Sequence, residues 1–129
     1  MTRQKAKGPS QRQLKVGELI RHALSDILTR GELMDEVIER HTITVPEVKM
    51  SPDLKLATAY VMPLGGTEVR EVVDHLQKHA KFFRGELAKR VELRYMPEIR
   101  FRRDASFETS QRIDEILASP EVTRDLDED

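Results

Sequence analysis

The residues of this chain best suited to chemistry are the bases between positions 78 and 103. Lys78, Lys81, Arg84, Lys89, Arg90, Arg94, Arg100 and Arg102 fall there; with Arg103 they make nine cations against three acids. A local charge of +6 in a chain whose total is −1 points to a surface that faces a polyanion. Such cations neutralise phosphates and release counterions, an interaction that depends on salt and tolerates sequence. Arginine planes also stack on unpaired bases, as aromatic rings do, which brings in Phe82 and Tyr95. Arg12 and Lys15, near the other end, lie off the apolar stripe of their own segment and are further candidates for phosphate contact. The competing reading of each is an ordinary solvated side chain, and charge alone does not separate the two.

Catalytic constellations are poorly represented. His75 and His79 are one helical turn apart, a spacing that can chelate a metal, but Leu76, Gln77 and Lys78 between them supply no general base and no third ligand is evident. His79 fits a polar contact to RNA better than a metal site, and an ordinary solvated surface histidine better still. Gly65-Gly66 is turn chemistry and no phosphate loop, and nothing arranges serine, histidine and aspartate as a triad. The absence of cysteine excludes disulfides, thiolate metal sites and cysteine nucleophiles together. The expectation is a protein that is not an enzyme and carries no cofactor or metal.

A length of 129 residues suits a single domain, and 38% apolar against 35% charged residues is a composition for folding in water. No window approaches the eighteen or so apolar residues of a membrane span, and no apolar run follows the basic N-terminus, so a cytoplasmic protein is expected. The near-zero net charge hides segregation: residues 1–30 carry +5, residues 31–77 carry −5 and residues 104–129 carry −7.

The elements that must position the bases follow from periodicity. Residues 1–9 read as a flexible basic arm. Ser10 and Gln13 match a capping box, opening a helix whose stripe is Val16, Leu19, Ile20, Ala23, Leu24, Ile27 and Leu28, with Gly31 as its stop. Residues 32–41 are an acidic connector with one helical turn. Residues 43–50, interrupted by Pro46, and residues 55–62 read as a hairpin closed by Ser51-Pro52-Asp53, with Ala57, Ala59 and Val61 on one face. Thr67 is then placed to cap a helix whose apolar register runs from Val69 to Val91, weakened only at Gly85, so that a bend or break near Ala80–Gly85 is allowed but not demanded. From Val91 the apolar residues alternate through Leu93, Tyr95, Ile99 and Phe101, which predicts that the helix hands directly to a strand and that Tyr95 is buried. Pro97 requires an edge, a bulge or two short pieces there. Phe83 lies on the helix stripe and Phe82 off it. Residues 104–117 suit a short amphipathic helix, and residues 118–129 an acidic disordered tail. The whole is an α+β domain, a small sheet with helices packed on one face.

Phe83-Arg84-Gly85-Glu86-Leu87, followed by Leu93-Arg94-Tyr95-Met96-Pro97-Glu98-Ile99-Arg100-Phe101, resembles ribosome-binding factor A, a bacterial family marked by Arg-x-x-Leu and then Leu-Arg-x-x-Pro-Glu-Leu/Ile-x-Phe. The Arg12 to Leu28 helix, the Val-Lys-Met-Ser-Pro-Asp-Leu turn and the Ala-x-Ala-Tyr-Val strand extend the similarity over residues 10–117. The resemblance implies a KH-like domain of the second topology, ordered α-β-β-α-kink-α-β with a three-stranded sheet, a class that clamps single-stranded RNA. It further implies a monomeric, non-catalytic factor, linked to cold adaptation in some bacteria. Such a factor binds the free 30S ribosomal subunit and its 16S rRNA late in assembly, aids maturation of the rRNA 5′ end, and leaves with a maturation GTPase. The family shows Ala-x-Gly at its kink; here His79-Ala80-Lys81 stands in that place, so a permissive glycine is missing and Lys81 adds a phosphate-seeking charge. Two other readings stay open: a generic single-stranded RNA- or DNA-binding module of KH type, and a protein-interaction module acting through its charge blocks.

Overall fold

A computed structural model describes residues 8–104; the expected basic arm up to residue 7, the expected helix over residues 104–117 apart from Asp104, and the acidic tail fall outside the described residues. Helix α1, Gln11–Arg30, begins at the expected capping box: Gln13 N–H donates to Ser10 Oγ at 3.1 Å and Ser10 N–H to Gln13 Oε1 at 2.8 Å. It stops at Gly31, whose φ of 66° is the left-handed conformation a glycine adopts without strain. Val16, Ile20, Ala23, Leu24 and Ile27 are buried, whereas Leu19, expected on the same stripe, is exposed. The connector contains the single turn α2, Glu36–Glu39, capped by Asp35.

Strands β1, Ile43–Met50, and β2, Leu56–Pro63, pair antiparallel, and β3, Glu98–Arg103, runs parallel to β2 in the order β1-β2-β3. The register of β1 slips between Thr44 and Glu47, around Pro46, which cannot donate to the ladder. That bulge lets Val45 and Val48 both face the core although they are three residues apart. Ala57, Ala59 and Val61 of the central strand are fully buried against the helices. Helix α1 lies so close to β1 that a Cβ on Gly17 would sit 2.6 Å from the Val48 carbonyl oxygen.

Between β2 and β3 lie α3, Val69–Lys78, and α4, Ala80–Arg90, in the expected α-β-β-α-α-β order of a KH-like domain with one extra turn. Thr67 does not cap α3. Glu68 takes the N-cap position at φ 55°, and its carboxylate accepts from Arg40 at 3.3 Å and lies 2.8 Å from His41 Nε2, bonds that offset the backbone strain. The apolar register from Val69 to Val91 is two helices rather than one, because the backbone leaves the helix at His79, with φ −103° and ψ 23°. Val72, Leu76, Phe83 and Leu87 stay buried across the break, and the Phe83 and Phe101 rings meet edge to face at 5.2 Å.

The predicted direct handover from helix to strand is corrected by the structure. The chain turns extended at Val91 but joins no strand until Glu98, whose N–H donates to the Lys55 carbonyl at 2.9 Å. Val91, Leu93 and Met96 pack against the core while Tyr95, expected to be buried, is 66% exposed, so the alternation holds only to Leu93 and marks a loop against the core rather than a ladder. Pro97, without an N–H, stands immediately before the strand it was expected to interrupt.

Candidate nucleic-acid interface

The break between α3 and α4 is fixed by one carboxylate. Asp35, its side chain 7% exposed, accepts from the backbone N–H of Val37 and Ile38, from His75 Nδ1 and from His79 Nε2, both imidazoles at 2.9 Å. Burial alone raises the Asp35 pKa. The hydrogen bonds from His75, His79 and Ile38 outweigh it and hold the carboxyl well below its ordinary range. The i, i+4 histidine pair is thereby committed to a protein carboxylate, and among the described residues no group of His, Cys, Asp or Glu is arranged to hold a metal. His79, a candidate RNA contact, turns its ring inward to this bond.

The break presents two exposed lysines, Lys78 and Lys81, and neither side chain has a partner among the described residues. Arg12, Lys15 and Arg94 are likewise exposed and unpartnered. The other candidate cations are engaged within the protein. Arg84 donates through Nη2 to the Met96 carbonyl at 2.8 Å and through Nε to that of Pro97 at 3.2 Å, tying α4 to the loop before β3. Arg90 bonds Glu86 at 2.8 Å and Asp26 of α1 at 3.4 Å, while Lys89 bonds Glu86 at 3.0 Å. These two cations keep the Glu86 carboxyl below its usual value, Arg90 first.

Arg100 and Arg102 alternate with Ile99 and Phe101 and so project from the sheet face opposite the helices. There Arg100 donates to Thr58 Oγ1 at 3.1 Å and Arg102 to the Phe101 carbonyl at 2.8 Å. Lys49, Thr58 and Tyr60 share that face by register, and Lys49 Nζ lies 5.8 Å from the Tyr60 ring centroid. Lys49 and Lys55 lie outside the basic run of residues 78–103, so composition does not single them out. Phe82 is half-buried, edge-on to Phe83 at 5.3 Å. These cations thus fall in separate groups: Arg12 and Arg94, far apart in sequence, at one cavity, Lys78 and Lys81 at the break, and Arg100 and Arg102 on the open sheet face. No helix among the described residues is long and apolar enough to cross a membrane.

Comparison with known proteins gives one consistent result. The family model described as ribosome-binding factor A matches residues 12–117. Ribosome-binding factor A of Beijerinckia indica is 57% identical over 124 residues, covering 96% of this chain and 88% of the relative. The solution structure of a Thermotoga maritima protein described as a putative ribosome binding factor A superimposes with a TM-score of 0.59 at 31% identity, over 75% of this chain and 91% of that one. A Thermus thermophilus ribosome-binding factor A, fitted into the cryo-EM map of a 30S complex, shares the fold with a TM-score of 0.55 at 24% identity, over 67% of this chain and 89% of that one. Beside the α+β architecture and the helix–break–helix before β3, these matches place the chain in the ribosome-binding factor A family.

Proposed function

We propose that this protein is a non-catalytic assembly factor of the small ribosomal subunit. It binds the free 30S particle as a monomer in the cytoplasm and grips 16S rRNA late in assembly. It aids maturation of the rRNA 5′ end and leaves with the help of a maturation GTPase. The observation that carries this reading is the helix break at His79, flanked by the unpartnered Lys78 and Lys81 in the position where a KH-type domain meets single-stranded RNA. Family membership supports it, and the Thermus thermophilus relative's fit into a 30S complex supports the choice of subunit.

The chemistry needs no reacting group. Lysine ammonium groups on either side of a rigid break neutralise successive phosphates, and rigidity keeps the ordering cost of binding low. Depleting the protein from cells and mapping 16S rRNA 5′ ends by primer extension tests the role. Extended, unprocessed ends are expected, restored to mature length by the wild-type protein and not by Lys78→Glu/Lys81→Glu. Mature ends throughout depletion exclude the processing role.

A further inference from the structure

At the N-terminal end of α1, Arg12 faces the loop that precedes β3. Between them lies a cavity of about 350 Å³ lined by Arg12, Asp53, Leu54, Leu93, Arg94 and Tyr95. This falls in the range of small-ligand sites. Leu54 and Leu93 are half-buried and packed against the core, which gives the cavity an apolar side. Arg12 and Arg94 are exposed without side-chain partners among the described residues, unlike Arg84, Arg90, Arg100 and Arg102. Tyr95 keeps 66% of its surface in solvent, and Lys55 Nζ lies 6.0 Å from its ring centroid.

Both walls are held from behind. On one side Ser51 N–H donates to the Leu56 carbonyl and Leu54 N–H to that of Ser51, each at 2.9 Å, and Asp53 accepts from Ser51 Oγ and Lys55 N–H. These bonds keep Leu54 at φ 62°, a conformation a leucine adopts only under constraint. On the other side the two Arg84 bonds to Met96 and Pro97 fix the end of the segment that carries Leu93, Arg94 and Tyr95.

We propose that this cavity is a subsite for one unpaired nucleotide of single-stranded RNA, its base against Leu54, Leu93 and Tyr95 and its phosphates at Arg12 and Arg94. An apolar side with an exposed aromatic ring recognises the face of a base, and free guanidinium groups recognise phosphate. The Asp53 carboxylate repels phosphate, which leaves the base as the part that enters. The subsite rests on the RNA-binding reading above and names a contact separate from the lysines at His79.

The full chain reports on this directly, because it holds only two tyrosines and no tryptophan. In a Tyr60→Phe background Tyr95 is the sole tyrosine, and its emission is read while a short single-stranded RNA is added. Quenching on binding is expected. Tyr95→Ala should weaken affinity about tenfold with the salt slope unchanged, Tyr95→Phe should stay within about twofold, and Arg94→Ala should lower the slope by about one. RNA that binds with Tyr95 emission unaltered and Tyr95→Ala at full affinity overturns the subsite and leaves the proposed function standing. Quenching by a free nucleoside monophosphate at the same concentrations as the oligonucleotide overturns it too, by showing a metabolite site. Failure to bind either the RNA or free small subunits overturns both readings.

Discussion

His79 Nε2 lies 2.9 Å from Asp35 Oδ2, and this bond stands at a helix break, His79-Ala80-Lys81, that contains no glycine. A helix break without glycine has to be held by side chains, because the backbone at φ −103° and ψ 23° gains nothing intrinsic over continuing the helix. Asp35 supplies the hold by joining the start of α2 to both histidines. Asp35→Ala removes a cap and leaves buried polar groups unpaired, for an expected loss of about 2–3 kcal/mol in urea unfolding. A loss below about 0.5 kcal/mol would show that packing alone sets the break.

The same carboxylate sets an acid limit. Its folded pKa lies below the ordinary 3.8, so the contribution of Asp35 is complete above that value and is lost as the pH falls below it. The thermal midpoint should therefore drop more steeply as the pH falls below about 4 in the wild type than in Asp35→Asn, which has no charge to lose. Parallel curves for the two proteins contradict this assignment.

Two helical glycines should respond in opposite directions. Gly17→Ala drives a methyl against the Val48 carbonyl, which belongs to backbone and does not swing away; overpacking predicts a loss of about 1–3 kcal/mol. Gly85→Ala meets nothing within 4 Å on the exposed side of α4 and should gain about 0.5–1 kcal/mol from helix propensity. Denaturation midpoints of the two variants decide it.

Arg84 and Lys81 are both bases of the same helix, yet their roles should separate. Arg84→Ala frees the loop carbonyls of Met96 and Pro97 and should cost about 1–2 kcal/mol of stability. Lys81→Ala should stay within about 0.5 kcal/mol in stability while lowering the salt slope of RNA affinity by about one. Equal stability losses would place both residues in the same class.

Much of this fold is local and was legible as such. The Ser10 capping box, Gly31, the Pro46 bulge and the Ala57–Ala59–Val61 face each rest on neighbours within a few residues. The break at His79 was legible only through the resemblance, which set a kink at His79-Ala80-Lys81; periodicity did not show it, since Leu76 and Phe83 keep their helical register across a one-residue interruption and His79's partner Asp35 lies 44 positions away. The false strand over residues 91–97 arose because Val91 and Leu93 pack against the core from an extended loop with a strand's spacing; the alternation ends at Tyr95, which is exposed while Met96 packs inward. Among the bases, composition located the charge but could not separate Lys81, free at the surface, from Arg90, paired to an aspartate 64 residues distant.

The central claim is selective capture of the free small subunit through the lysines at the break. Sedimentation of the protein with free small subunits, large subunits and whole ribosomes, at two salt concentrations, tests it most directly. The account predicts binding to free small subunits alone, weaker at the higher salt and lost in Lys78→Glu/Lys81→Glu while that variant's unfolding midpoint is unchanged. Equal binding to all three particles, or full binding by the folded double variant, would contradict it.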